Sequence, residues 1–213
     1  MKKFVLLCLL PLTLRAQELS ADQTGELIAR VAEKRRGVPM QTEFREEKHM
    51  ALMQKPVIEE GTLAFLPPDK FRREVKGRSL TICDGETLWL YYPEFNEVEK
   101  YSLAANRTLR ESLDAMSSGF GLQEVAKNYA IQATKTPDGY RLSLTPKSSA
   151  LRKSVSQIVV TLSNDLTVRR LELQGAEGDR TITNFTNERK AKLSESDFQF
   201  APPAGANVSE PLK

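Results

Sequence analysis

Few side chains in this sequence are equipped for covalent or acid–base chemistry. Its one histidine, His49, sits in a charged stretch, and one of its two cysteines, Cys8, lies in an apolar N-terminal run. Cys83 then stands alone, so a Cys–His pair would need Cys83 and His49 to meet in the fold. A zinc site would lack ligands of the usual type. Ser-His-Asp catalysis would have to recruit the same His49, and no Gly-x-Ser-x-Gly elbow or Walker-type phosphate loop is present. The neighbouring carboxylates Glu46-Glu47 and Glu59-Glu60 lie in polar stretches, where solvation is the expected state. The expectation is a protein that is not an enzyme and that carries no metal and no cofactor.

The elements that would position these groups begin after a leader. Lys2-Lys3 followed by the apolar run Phe4 to Leu14 reads as a secretory signal peptide, residues 1–16, cleaved near Ala16. The run is shorter than the roughly 20 residues of a membrane span. Lys2, Lys3 and Arg15 also account for the formal charge of +3, from 31 basic and 28 acidic residues. The remaining chain, 17–213, is formally neutral and reads as a single exported domain. No basic face suited to nucleic acid is evident, and Cys83 has no internal disulfide partner.

Ser20-Ala21-Asp22-Gln23 is a capping-box pattern opening a helix whose apolar stripe is Leu27, Ile28 and Val31. Gly37-Val38-Pro39 stops it. Met40, Thr42 and Phe44 alternate with polar residues as in a strand, and Glu46 to Glu60 reads as a long connection or a frayed strand pair. From Gly61 the pattern is all-β. Leu63 and Phe65 alternate, then Phe71, Arg73 and Val75, then Leu80 and Ile82. Asp84-Gly85 is the turn of a hairpin returning through Leu88-Trp89-Leu90-Tyr91-Tyr92. A two-residue loop there would set Ile82 opposite Thr87 and Leu80 opposite Trp89.

That second strand is apolar on both faces. One face can belong to a core, and the other must be covered by another layer or by a ligand.

Thr108-Leu109-Arg110-Glu111 is a second capping box, with Leu109, Leu113 and Met116 on one stripe, and Leu122 and Val125 suggest a further turn of helix. Strands then resume through Tyr129–Thr134, a turn at Asp138-Gly139, Leu142 and Leu144, and Ile158 and Val160. A turn follows at Asn164-Asp165, then a bulge at Arg169-Arg170. Thr181, Thr183 and Phe185 come next, and Phe198 and Phe200 read as a terminal strand. The sum is about ten or eleven antiparallel strands with an N-terminal helix and a helical insertion, in a sheet large enough to curl around its helices.

Four stretches together resemble one family. These are Gly61–Phe65 leading to Pro68-Asp69-Lys70-Phe71-Arg72, the run Asp84–Pro93, Leu144-Thr145-Pro146-Lys147, and Phe198-Gln199-Phe200-Ala201-Pro202-Pro203-Ala204-Gly205. In order and spacing they are similar to the periplasmic outer-membrane lipoprotein carriers (LolA-like) over nearly the whole mature length. The resemblance implies an incomplete antiparallel β-barrel whose concave apolar face is covered by helices. It implies a periplasmic monomer that takes acylated lipoprotein from an inner-membrane ABC transporter or lipid exporter and passes it to an outer-membrane receptor.

One departure bears on mechanism. The family's lid-latching Arg, which precedes the first Pro of the Phe-containing segment, is replaced by Pro67, so its role is not carried over. Arg72 and Arg73 are the nearby substitutes. The charged stretch Phe44 to Pro56 is similar to divergent relatives associated with other envelope lipids, so the resemblance implies lipoprotein or another envelope lipid as cargo. The expected cavity surface is Phe44, Leu63, Phe65, Phe71, Leu88, Leu90, Leu142, Leu144, Ile158 and Val160, with Leu109, Leu113 and Met116 as the lid. Trp89 is expected to be a structural anchor. The alternative is a lipid sensor or membrane-protein scaffold built on the same half-barrel.

Overall fold

The computed structural model describes residues 16–106 and 126–211. The leader up to residue 15 lies outside the described residues. So does the segment containing Thr108, Leu109, Leu113, Met116, Leu122 and Val125.

Helix α1 spans Ala21–Arg35. Thirteen strands form one sheet: β1 Gln17–Glu18, β2 Met40–His49, β3 Val57–Leu66, β4 Lys70–Val75, β5 Ser79–Cys83, β6 Thr87–Tyr92, β7 Glu97–Ser102, β8 Tyr129–Thr136, β9 Gly139–Pro146, β10 Val155–Ser163, β11 Val168–Gly175, β12 Arg180–Lys190 and β13 Asn207–Ser209. Their spatial order is β1-β8-β9-β10-β11-β12-β2-β3-β4-β5-β6-β7-β13. Neighbours are antiparallel except β7 and β13, which run parallel. β1 and β13 end the sheet without joining, so the barrel is incomplete. These two edge strands, of two and three residues, are too short to show alternation. They help raise the strand number above the expected ten or eleven.

The capping box is formed: the Gln23 backbone N–H donates to Ser20 Oγ at 3.2 Å, and the Ser20 N–H donates to Gln23 Oε1 at 2.9 Å. These bonds satisfy donors that a helix start leaves orphaned. Leu27, Ile28 and Val31 are buried against the inner face of the sheet with Ala133, Leu142 and Leu162. The helix end is tied down by Arg35, which pairs with Glu188 of β12 at 2.8 Å, both side chains almost fully buried. Gly37 then takes φ +65, open to glycine at little cost, and turns the chain into β2.

Three expectations about the strands are settled or revised. Glu46 to Glu60 is the strand-pair alternative, with β2 and β3 laddered from Met40↔Phe65 out to Lys48↔Val57. The hairpin at Asp84-Gly85 is wider than two residues: Cys83 faces Leu88, Ile82 faces Trp89 and Leu80 faces Tyr91. Asp84 Oδ1 accepts from the Glu86 and Thr87 N–H groups at 2.9 and 2.7 Å, which stabilises the longer loop. The shift is even, so Trp89 and Tyr91 still share a face with Leu80 and Ile82.

The third change concerns Phe198 and Phe200, which do not form a terminal strand. Ser194 and Asp197 cap a 3-10 helix at Glu195–Phe198, and Phe200 lies beyond it without ladder pairing. The bulge expected at Arg169-Arg170 is present, because Thr161 pairs with Arg170 and Leu162 with Val168, leaving Arg169 unpaired.

Candidate lipid-binding face

Strand alternation divides the sheet into two apolar layers. On the outer face, Ala64 and Ile82 pack beneath Phe198, with Leu66, Leu80, Leu193 and Phe200 around them. The Phe200 ring lies 5.6 Å from that of Trp89 and 5.7 Å from that of Tyr91. The C-terminal segment is therefore the layer that covers the second face of Leu88–Tyr92. Trp89 faces outward here, with the Lys100 ammonium 5.4 Å from its ring centroid.

The inner face is a single cluster. Phe44, Leu63, Phe65, Phe71, Leu88, Leu142, Leu144 and Val160 are buried in it, and Leu90 and Ile158 pack against it half-buried. All ten side chains expected to line the cavity therefore share one face. They come from β2, β3, β4, β6, β9, β10 and are joined by α1 and by Val75, Cys83, Tyr140, Val168 and Phe185, which sequence reasoning did not select. The expected lid residues Leu109, Leu113 and Met116 lie outside the described residues.

Polar chemistry enters this face at one end. Glu46 and Glu59 are direct cross-strand partners, and two like charges so placed repel. Arg73 resolves the conflict by donating to Glu46 Oε1 at 2.9 Å and to Glu59 Oε2 at 3.2 Å. Lys48 Nζ donates to Glu59 Oε2 at 2.8 Å, and Thr183 Oγ1 donates to Glu46 Oε2 at 2.8 Å. Burial works to raise the Glu59 pKa, but the hydrogen bonds from Lys48 and Arg73 outweigh it and hold the carboxyl below its usual range. A general acid needs the opposite shift.

Gly61 makes the arrangement possible. It lies opposite Phe44, and a Cβ there would fall 1.8 Å from the Glu74 carbonyl oxygen and 2.9 Å from Phe44 Cζ. The vacant side-chain position is where the Phe44 ring lies, capped by the Arg73 guanidinium.

This cluster corrects the reading of Glu46 and Glu59 as solvated surface: both side chains are about 13% exposed. The signal was present, since Glu46 and Lys48 stand two and four residues after inward-facing Phe44. Of the two substitutes for the absent latch, Arg73 faces inward. Arg72 faces outward, pairing with Glu74 at 3.2 Å. There it borders a pocket of about 450 Å³ of mixed lining, shared by Gln41, Thr62, Ala64, Leu193, Asp197 and Phe198.

A second polar group sits on β6 and β7. Tyr101 OH donates to Glu99 Oε2 at 2.6 Å, and this bond, with burial, pushes the phenol pKa up to about 12. Burial, and then the Glu99 charge, raise that of Tyr92.

The groups that opened the chemical reading are far apart. Cys83 ends β5 at one end of the sheet, where its thiol donates to the Asp69 carbonyl at 3.5 Å. His49 ends β2 at the other, 3.5 Å from Glu47. Among the described residues, no group of three or more His, Cys, Asp or Glu side chains could hold a metal ion.

Comparison with known proteins agrees with this architecture. Residues 39–201 match the family model of the outer membrane lipoprotein carrier protein LolA. The outer-membrane lipoprotein carrier protein of Chromohalobacter salexigens is 28% identical over 203 residues, covering 93% of this chain and 90% of that protein. The one from Cupriavidus taiwanensis is 32% identical over 152 residues, covering 70% of this chain and 69% of the relative. Among solved structures, an uncharacterized conserved protein of Thermus thermophilus superposes with a TM-score of 0.55 at 14% identity, covering 88% of this chain and 99% of that one; it shares the fold. The chain belongs to the LolA family of outer membrane lipoprotein carrier proteins.

Proposed function

We propose that this protein is a periplasmic carrier that shields the acyl chains of lipoproteins, or of another envelope lipid, against the inner face and moves them from the inner to the outer membrane. The observation that carries the reading is the composition of that face: one contiguous layer of Leu, Val, Ile and Phe side chains drawn from both halves of an open sheet. Family membership supports the cargo class. No helix among the described residues is long and apolar enough to cross a membrane.

The energetics explain why such a face suits the task. Apolar transfer is worth roughly 0.8 kcal/mol per CH₂, so one long acyl chain exposed to water costs on the order of 10 kcal/mol. A carrier must offset most of that cost and still release the chain to a better acceptor. Non-directional packing does both, because it has no hydrogen bonds that must be replaced at hand-over. Phe44, Leu63, Phe65, Phe71, Leu88 and Leu90 on one half of the sheet, with Leu142, Leu144, Ile158 and Val160 on the other, are the proposed contacts. The proposed partners are an inner-membrane transporter that loads the protein and an outer-membrane receptor that unloads it.

The test is release of a lipidated substrate from inner-membrane vesicles that contain a competent transporter. Soluble, carrier-bound substrate is the expected product. A stable complex with an inner-membrane partner and no net transfer would overturn the carrier reading in favour of a sensor or scaffold.

A further inference from the structure

Large apolar side chains left in water are unevenly placed on this molecule. Among the described residues, Met50, Leu52, Met53, Ile58, Phe95 and Val208 are the exposed ones. All six lie at or beside the same end of the strands. Met50, Leu52 and Met53 occupy the β2–β3 connection, Ile58 is the second residue of β3, and Phe95 is in the β6–β7 turn. Val208 pairs with Val98, one step inside that end of β7. Leu52 is 100% exposed and Phe95 67%. At the opposite end, Leu103 and Leu166, beyond β7 and β10, are buried.

The β2–β3 tip is also a defined shape. The Met53 N–H donates to the Met50 carbonyl at 2.9 Å, and the Ala51 N–H donates to Asp179 Oδ1 at 2.8 Å. The first bond closes the turn and the second anchors it to the β11–β12 turn, while Leu52 and Met53 are left exposed. A hairpin connection is ordinarily polar, and nothing in the described structure covers these side chains.

Charge is divided along the same axis. The connections between sequential strands at the apolar end carry Lys55, Lys76, Arg78, Lys147, Arg152 and Lys153 against Glu94, Glu177 and Asp179. At the opposite end the tight turns carry Asp69, Asp84, Glu86, Asp138 and Asp165, with Lys34 and Arg36 at the end of α1 and Lys192 after β12 beside them. The chain's overall charge hides this polarity. Projecting apolar residues ringed by ammonium and guanidinium groups match an interface with anionic lipid head groups above hydrocarbon.

We infer that the end of the half-barrel bearing Leu52, Met53 and Phe95 docks directly on an anionic lipid surface, with the β2–β3 tip entering the head-group layer. This orientation would present the carrier to a membrane by one end only. The inference goes beyond the carrier reading, and its test uses no cargo.

The experiment is flotation of the protein, purified from the periplasm, with protein-free vesicles of phosphatidylethanolamine and phosphatidylglycerol. Binding is expected, weakening with added salt and with replacement of phosphatidylglycerol by phosphatidylcholine. The double variant Leu52→Ser with Met53→Ser should lose about ten-fold or more in partitioning. Its thermal unfolding and its binding of a fluorescent acyl probe should match those of the parent, since neither side chain belongs to the inner face. Absence of parental binding to protein-free vesicles overturns the inference, including the case where binding appears only when a receptor protein is added. Equal binding by the double variant overturns it as well. Failure of the carrier reading would instead appear in acyl-probe binding or substrate release, with flotation unchanged.

Discussion

The Arg73 guanidinium lies 4.6 Å from the centroid of the Phe44 ring while its Nη2 amino group bridges Glu46 and Glu59. One side chain thus connects the apolar layer of the inner face to a charged cluster at its end. Removing it should leave two facing carboxylates with Lys48, Thr183 and the more distant Arg78, 3.7 Å from Glu59, to compensate. Arg73→Ala is expected to cost about 2 kcal/mol, less than a fully buried ion pair because some water reaches the site. Arg73→Lys should recover part of it. The lowered Glu59 pKa contributes stability that is present above its unfolded value and lost as pH falls through the folded one. The parent should therefore lose its advantage over Arg73→Ala on acidification, as measured by urea denaturation across pH.

Leu90 faces inward beside Leu88, and Trp89 faces outward. Leu90→Asp should either unfold the domain or abolish acyl-probe binding, because an unpaired carboxylate there has no compensating donor. A folded variant that binds the probe normally would remove Leu90 from the cargo surface.

Phe198 is fully buried against Ala64 and Ile82 on the outer face. Phe198→Ala should cost about 3 kcal/mol and expose the chain after Lys190 to protease. If the folded variant's probe binding is unchanged, the outer layer is a structural cover.

Tyr101 should ionise late in an alkaline ultraviolet titration, at a pKa of about 12. Its raised value contributes stability that is complete below the ordinary tyrosine pKa and lost as pH rises through the folded one. Glu99→Gln should bring the transition down, since it removes the charged acceptor that favours the protonated phenol.

Asp165 joins α1 to the β10–β11 turn. Its carboxylate accepts from Ser163 and from Thr167 Oγ1 at 2.7 Å, and from Lys34 Nζ at 3.3 Å; Lys34 Nζ also donates to the Asp165 carbonyl at 2.5 Å. These hydrogen bonds, led by Ser163, hold the carboxyl far below its usual range. Asp165→Asn should cost about 1 kcal/mol or less near neutrality, since the group is largely exposed and screened. The difference should vanish as pH falls, because the contribution of a depressed carboxylate is lost below its folded pKa.

Local patterns settled a good deal of this molecule from sequence alone. The Ser20–Gln23 capping box, the inward stripe of α1 and the alternation of Leu63–Phe65 and Leu142–Leu144 depend on residues a few positions apart. Neighbouring backbone geometry is enough to interpret them. The parity of Trp89 and Tyr91 with Leu80 and Ile82 held even though the hairpin register moved, because a shift of two residues leaves each side chain on its own face.

Three things were decided only by the tertiary structure. Which parity of Leu88–Tyr92 faces inward depended on where Phe198 and Phe200 docked, more than a hundred residues later. Whether Glu46 and Glu59 were solvated depended on Arg73 arriving from a third strand over Gly61. The collection of Leu52, Phe95 and Val208 at one end, with the basic connections around them, depended on the direction of every strand in the sheet. Each is a relation between segments distant in sequence, so it exists only after the sheet has closed the distance between them.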